Sequence, residues 1–62
     1  MMGEAIRALR TAANMTVAEL AKKSGIKSRV IRSWERGERV PRVDRAKAVA
    51  DALGVRVDEI LK

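Results

Sequence analysis

Hydrophobic residues recur every three or four positions through most of the chain, which is the spacing of helices with one buried face. In the first such segment Ile6 and Leu9 lie three residues apart, and Met2 and Ala13 extend the stripe by one turn at each end. Asn14 follows, and asparagine tolerates the left-handed conformation that ends many helices. The pattern predicts a first helix over residues 3–13.

A second and a third helix are predicted on either side of a glycine. Thr16 and Glu19 have the spacing of a capping box, in which each side chain satisfies a free backbone N–H of the other residue. This box predicts a second helix over 17–23, which Gly25 ends because glycine adopts a positive φ without strain. A third helix is predicted over 28–36. Two helices joined by such a short turn have the helix-turn-helix layout.

Pro41 lies in the segment that follows and prevents the loop from being helical throughout. A fourth helix is predicted over 43–53, with Gly54 as its stop, and a short fifth helix over 57–61. Helices of this length are unstable alone, so they must share a core. We therefore expect an all-α fold, a compact five-helix bundle with a helix-turn-helix, in a single domain over 1–62. The inner face of the fourth helix is expected to consist of Ala46, Val49, Ala50 and Leu53.

The net charge of the chain indicates which classes of partner it can bind. The 62 residues include 14 Lys and Arg against 8 Asp and Glu, a net charge of +6. Segment 27–47 alone holds eight basic and three acidic residues, which is a net +5. Such a balance favours a polyanion, meaning a nucleic acid, an anionic membrane or an acidic protein. The middle third of the chain is thus the predicted contact surface.

Several kinds of chemistry are not expected. The chain has no cysteine and no histidine, which removes disulfides and the usual zinc and general-base sites. It also shows neither a glycine-rich phosphate loop nor converging carboxylates, so we predict that it is not an enzyme and holds no metal, cofactor or small-molecule ligand. No apolar run approaches the ~20 residues that cross a membrane. We expect a cytoplasmic, nucleoid-associated protein that binds no membrane.

The third helix carries the candidate recognition surface. Val30, Ile31 and Trp34 fall on one face, which we expect to be buried. The opposite face is predicted to hold Ser28, Arg29, Arg32, Ser33 and Arg36. An α-helix fits the DNA major groove, where arginine can donate two hydrogen bonds to guanine. A solvated basic face is the alternative, but three arginines without an acid favour DNA, and we predict base contacts from Ser28, Arg29, Arg32 and Ser33.

The chain resembles the Cro/repressor (Xre-type) helix-turn-helix proteins. The matching residues are Ile6-Arg7-x-Leu9-Arg10, Leu20-Ala21, Gly25-Ile26, the stretch 31–37 with its Trp-Glu-Arg-Gly run, Pro41, and Ala50-x-x-Leu53-Gly54-Val55. The resemblance implies a five-helix fold that docks its third helix in the major groove, commonly as a homodimer on an inverted repeat. It also implies that Arg10 and Glu35 form a structural ion pair between the first helix and the end of the third.

Phosphate contacts are expected around the recognition helix. The start of the second helix offers free N–H groups, at Val17, where family members often have glutamine. The other candidates are Lys27, Arg36, Arg39 and Arg42.

The chain also departs from the family at the N-caps, the residues that immediately precede the third, fourth and fifth helices. Family members often have serine there, and this chain has Lys27, Arg42 and Arg56, although cations oppose the helix dipole at that end. Phosphate contact can offset the first two cations, whereas nothing in the sequence explains Arg56.

The combined prediction is a transcription regulator, a repressor or Cro-like protein, that binds specific double-stranded DNA. We expect a homodimer, with contacts through Val55, Val57, Ile60 and Leu61. The alternative is an antitoxin or another protein-interaction module with the same fold. A membrane-binding amphipathic helix is disfavoured because the apolar faces are needed inside the bundle.

Overall fold

The computed structural model describes residues 2–61, which form five α-helices and, within that range, no strand. The helices are α1 (Met2–Ala12), α2 (Val17–Ser24), α3 (Ser28–Glu35), α4 (Val43–Leu53) and α5 (Asp58–Leu61). The all-α, five-helix prediction is confirmed, and each predicted boundary lies within one residue of the observed one.

Local sequence signals explain where the helices begin and end. The Thr16 amide donates to Glu19 Oε1 at 2.8 Å, and the Glu19 amide donates to Thr16 Oγ1 at 3.1 Å, so both halves of the capping box are present. Asn14 adopts φ +57° after α1, and Gly25 adopts φ +75° after α2. These local hydrogen bonds and backbone angles account for the end of α1 and for both ends of α2.

One core holds all five helices. Ile6, Leu20, Ile31, Val49 and Ile60 are each fully buried, and each comes from a different helix. Burying one side chain of this size contributes about 1.5–3 kcal/mol relative to leaving it exposed. Ile26, Trp34, Ala46 and Ala50 complete the buried cluster. No helix can leave the bundle without opening this core.

The packing leaves α3 open on one side. α3 contacts α1 and α2, while α4 packs against α2, α1 and α5, and α5 also packs on α1. Because α1 and α2 cover the inner face of α3, its outer face remains at the molecular surface. The described residues measure only 22 × 22 × 19 Å. At about 1.5 Å per residue, α3 therefore spans much of one side of the molecule.

α1 and α3 approach each other closely at Gly3. A Cβ atom built on Gly3 would overlap the carbonyl oxygen of Trp34 in the last turn of α3. This backbone-to-backbone contact is possible only because residue 3 has no side chain.

The predicted hydrophobic stripe of α1 is shorter than expected. Ala13 is exposed and lies beyond the helix, because α1 ends at Ala12 and the chain turns through Asn14. The side chain of Met2, predicted on the same stripe, lies outside what the structure describes. Ile6 and Leu9 do pack in or against the core.

Candidate nucleic-acid interface

The turn between α2 and α3 fixes the angle between the two helices. The Gly25 amide donates to the Ala21 carbonyl at 2.9 Å, which closes α2. Ile26 then enters the core with 7% of its surface exposed, and its amide donates to Ser24 Oγ at 3.3 Å. Since a buried side chain anchors the turn, α3 leaves it in a defined direction.

Two arginines project from the outer face of α3. Ile31 and Trp34 are buried on the inner face, while Arg29 and Arg32 are exposed. Neither arginine forms an ion pair with any residue in 2–61. Ser28 is half-buried at the first position of the helix. The guanidinium groups of Arg29 and Arg32 are therefore available to an external acceptor.

Ser33 was wrongly placed on the outer face. It is 9% exposed, and its hydroxyl donates to the Val30 carbonyl at 2.7 Å. The chain reverses after α3, and the amides of Glu38 and Arg39 return to the Ser33 carbonyl at 2.9 and 3.4 Å. This returning loop covers the side of the helix that the sequence pattern left open.

Arg10 and Glu35 form a bidentate ion pair between α1 and α3. Arg10 Nε donates to Glu35 Oε2 at 2.8 Å, and Nη2 donates to Oε1 at 3.0 Å. Arg10 Nη1 also donates to the Met15 carbonyl at 2.9 Å. Only 16% and 10% of the two side chains are exposed, and the hydrogen bonds to Glu35 raise the pKa of Arg10. The pair thus joins α1, the following loop and the end of α3.

The predicted phosphate contacts lie at the two ends of α3 and beyond it. Lys27, Arg39 and Arg42 are exposed, whereas Val17 is half-buried at the first residue of α2. Lys27 is the N-cap of α3 and Arg42 is the N-cap of α4, and neither side chain caps its helix with a hydrogen bond. Both cations therefore extend into solvent instead of serving the helix that they precede.

Arg36 already forms an ion pair with an acidic side chain of the same chain. Its Nε donates to Glu38 Oε2 at 2.9 Å and its Nη2 donates to Oε1 at 3.1 Å, with more than half of each side chain exposed. The hydrogen bond lowers the pKa of Glu38 and raises that of Arg36. Glu38 was not predicted as part of the site, although Gly37 between the two residues signals a chain reversal that brings their side chains together.

Residues 6–60 match the family model of the helix-turn-helix proteins of Cro/C1 (Xre) type. The chain belongs to this helix-turn-helix family. No curated protein sequence matches it significantly.

Solved structures of three regulators resemble this helix-turn-helix protein. The restriction-modification controller protein C.AhdI from Aeromonas hydrophila is 30% identical, with a TM-score of 0.91 over 95% of this chain and 89% of that one. The biofilm master regulator SinR, solved in complex with DNA, is 28% identical, with a TM-score of 0.95 over 100% of both chains. The clp gene regulator ClgR from C. glutamicum is 30% identical, with a TM-score of 0.89 over 97% of this chain and 78% of that one.

The structure accounts for the cation at Arg56 in this helix-turn-helix protein. The Arg56 amide donates to Glu59 Oε2 at 3.2 Å, so an acid three residues further on satisfies it. The Arg56 guanidinium donates to Asp58 Oδ2, also at 3.2 Å. Two acids at the start of α5 therefore balance the charge that the sequence left unexplained.

The four residues predicted to form a dimer contact lie in different environments. Ile60 is fully buried, and that part of the prediction was wrong because the single inward position of the short α5 fills the core. Val55 and Val57 are half-buried against the same core. Leu61 is the most exposed of the four, with 37% of its surface accessible.

Two further findings concern other kinds of site. No helix within residues 2–61 is long and apolar enough to cross a membrane. Within the same residues, no three His, Cys, Asp or Glu side chains lie close enough together to hold a metal ion.

Proposed function

We propose that this protein is a transcription regulator that binds specific double-stranded DNA by inserting α3 into the major groove. The observation that carries the proposal is the pair Arg29 and Arg32, exposed and unpaired within residues 2–61, on a helix whose opposite face is locked in the core. A rigid helix that presents two arginines suits the major groove in width and in hydrogen-bonding chemistry. The action is binding, not catalysis, as in the regulators that the chain resembles.

Base reading is assigned to Ser28, Arg29 and Arg32. Each arginine that binds guanine through two hydrogen bonds contributes about 1–3 kcal/mol of discrimination against another base. Ser33 is left out of this set because its hydroxyl already donates inside the helix.

Phosphate contacts position the helix over the groove. We assign them to the exposed side chains of Lys27, Arg39 and Arg42, to Arg36 once it leaves Glu38, and to the backbone amide of Val17 at the start of α2. The same arrangement explains why the N-caps of α3 and α4 are cations, since an approaching phosphate favours them there. SinR, which shares the fold over its full length, was solved in complex with DNA, and this likeness supports DNA as the partner.

A homodimer on an inverted repeat is the assembly we propose, with the exposed edge of α5 at Leu61 at its interface. In such a dimer the two recognition helices lie about 34 Å apart, one turn of the double helix. We place the protein on the nucleoid, in the cytoplasm.

Selection of bound duplexes from a random pool tests the proposal. We expect a short inverted repeat, and a log–log salt slope of about −0.9 for each phosphate contacted. Equal affinity for selected and scrambled duplexes would overturn specific reading.

A pair of variants separates the two kinds of contact. Arg32→Ala should cost about 1–3 kcal/mol on the selected site and relax one base position, because it removes a base contact. Arg39→Ala should weaken binding to all sequences alike and flatten the salt slope by about 0.9, because it removes a phosphate contact. Identical base profiles for Arg32→Ala and the wild type would refute the assignment of Arg32.

A further inference from the structure

Glu38 is an acid placed within the basic surface that we assign to DNA. Its carboxylate binds Arg36, and Arg39 beside it further lowers its pKa. It also lines a shallow groove together with Arg29, Val30, Ser33 and Arg39. We propose that Glu38 sets the affinity for DNA by competing with the DNA phosphate for the guanidinium of Arg36, an inference that rests on the function proposed above.

The fold holds Glu38 in this position. Arg36 is the C-cap of α3, and Gly37 follows with φ +77°. The Gly37 amide donates to the Trp34 carbonyl at 3.0 Å, and the Glu38 amide donates to the Ser33 carbonyl at 2.9 Å. These two bonds form a Schellman motif, which ends helices in a fixed geometry. The backbone on both sides of the ion pair is thus set by the end of the recognition helix itself.

A carboxylate and a phosphate bind the arginine side chain with the same hydrogen-bonding geometry. Each accepts two parallel hydrogen bonds from the planar guanidinium group. The Nε and Nη2 edge of Arg36 is occupied by the two oxygens of Glu38, at 2.9 and 3.1 Å. A phosphate can use that edge only after the carboxylate leaves, and the released carboxylate then remains near the phosphates and repels them. Both effects make Glu38 oppose DNA binding.

The expected effect is modest because the pair is exposed. Solvent-exposed ion pairs are weak, so releasing Arg36 should tighten binding about 2- to 5-fold. Glu38→Gln is the test variant, since it removes the charge and preserves the size of the side chain. Its salt slope should also steepen, by up to about 0.9, because the Arg36 guanidinium then meets the phosphate without a carboxylate that partly neutralises its charge.

Asp44→Asn provides the matched control. Asp44 is an exposed acid in the same basic segment, and it forms no ion pair with any described residue. Its neutralisation removes one negative charge without releasing an arginine. Arg36→Ala, alone and combined with Glu38→Gln, completes a double-mutant cycle.

The experiment measures binding of all five proteins to one selected duplex at about 50 mM salt, where screening is weak. We expect Glu38→Gln to bind tighter than Asp44→Asn, and its gain to shrink to that of Asp44→Asn when Arg36 is alanine. In the free protein, the Arg36 Nε–H should exchange with water faster in Glu38→Gln than in the wild type.

Two results would overturn the inference while leaving the proposed function intact. One is an equal gain for Glu38→Gln and Asp44→Asn, and the other is a gain that persists undiminished without Arg36. Wild-type protein that binds no duplex would overturn the proposed function, and this inference with it. Thermal unfolding of each variant checks that the fold is preserved.

Discussion

At the scale of single residues, Arg10 and Glu35 illustrate how strongly the recognition helix depends on one polar contact. The two side chains are mostly but not fully buried, and three hydrogen bonds satisfy their charged groups. Such a pair adds little when compared with well-packed apolar residues, but removing one partner leaves a buried charge without compensation. The pair is therefore more costly to break than to replace.

We predict that Glu35→Gln destabilises the protein by about 1.5–3 kcal/mol, a large share of the stability of a domain of this size. Arg10→Met combined with Glu35→Leu should recover most of that loss, because it removes both charges and keeps the volume. Urea denaturation of the three proteins measures the difference. If the free energy of unfolding of Glu35→Gln lies within about 0.5 kcal/mol of the wild-type value, the ion pair does not stabilise the fold.

At the scale of elements, the capping box at the start of α2 couples stability to pH. The backbone and side-chain hydrogen bonds of Thr16 lower the pKa of Glu19 in the folded protein. A carboxyl group whose pKa is lower when folded stabilises the protein above the unfolded-state pKa, and this stabilisation is lost as the pH falls.

We expect the wild type to lose stability as the pH drops below about 4.3, the ordinary pKa of glutamate. Glu19→Gln should be less stable than the wild type at neutral pH, and its stability should change less with pH in that window. Denaturation midpoints between pH 3 and 7 measure both effects. Parallel pH curves for the two proteins would contradict the coupling.

The contact between α1 and α3 at Gly3 leads to a second prediction for the elements. Gly3→Ala improves helix propensity by up to about 1 kcal/mol, but its methyl group would overlap the Trp34 carbonyl. The overlap involves backbone, which cannot move aside cheaply, so we expect net destabilisation of about 1–3 kcal/mol.

Glu4→Ala is the control for Gly3→Ala, since it introduces an alanine at the neighbouring, exposed position of the same helix. Thermal unfolding should separate the two variants clearly. A Gly3→Ala protein as stable as the wild type would mean that α1 and α3 do not approach so closely.

Helix boundaries could be predicted from the sequence because local signals determine them. Thr16, Glu19 and Gly25 act on their own neighbours, and no tertiary contact was needed to interpret them. Ser33 and Glu38 could not be placed in this way. Their environment depends on how the chain returns after Gly37, and helical periodicity says nothing about a loop that folds back over its own helix.

At the scale of the whole molecule, the positive charge is concentrated in one segment of the chain. Segment 27–47 carries most of the net charge of +6, and it includes α3 and the start of α4. The sequence identified this segment as the DNA contact surface from its cations, and that assignment stays a prediction. No sequence pattern indicated which cations are already paired: within the segment Arg36 binds Glu38, and outside it Arg56 binds Asp58.

The dimer that we propose makes a prediction at this scale. Leu61→Lys should lower the free energy of unfolding by only about 1 kcal/mol, because Leu61 is partly exposed at 37% and a lysine stem can cover part of the same surface, while it weakens dimerisation and binding to a full inverted repeat. Ile60→Ala should instead lose about 2–5 kcal/mol of stability, because Ile60 is fully buried.

Sedimentation and binding to full and half sites would distinguish the two variants of α5. If Leu61→Lys dimerises and binds the full site as well as the wild type does, the interface lies elsewhere on the molecule.

Trp34, the sole aromatic residue of the chain, lies on the buried face of the recognition helix and is 3% exposed. Its indole therefore provides a built-in optical reporter. A shift of the tryptophan emission to longer wavelength will indicate that water has reached the core. The bases of bound DNA cannot contact the buried ring directly. Tryptophan fluorescence thus distinguishes, without any label, a variant that has unfolded from a folded variant that has lost only its affinity for DNA.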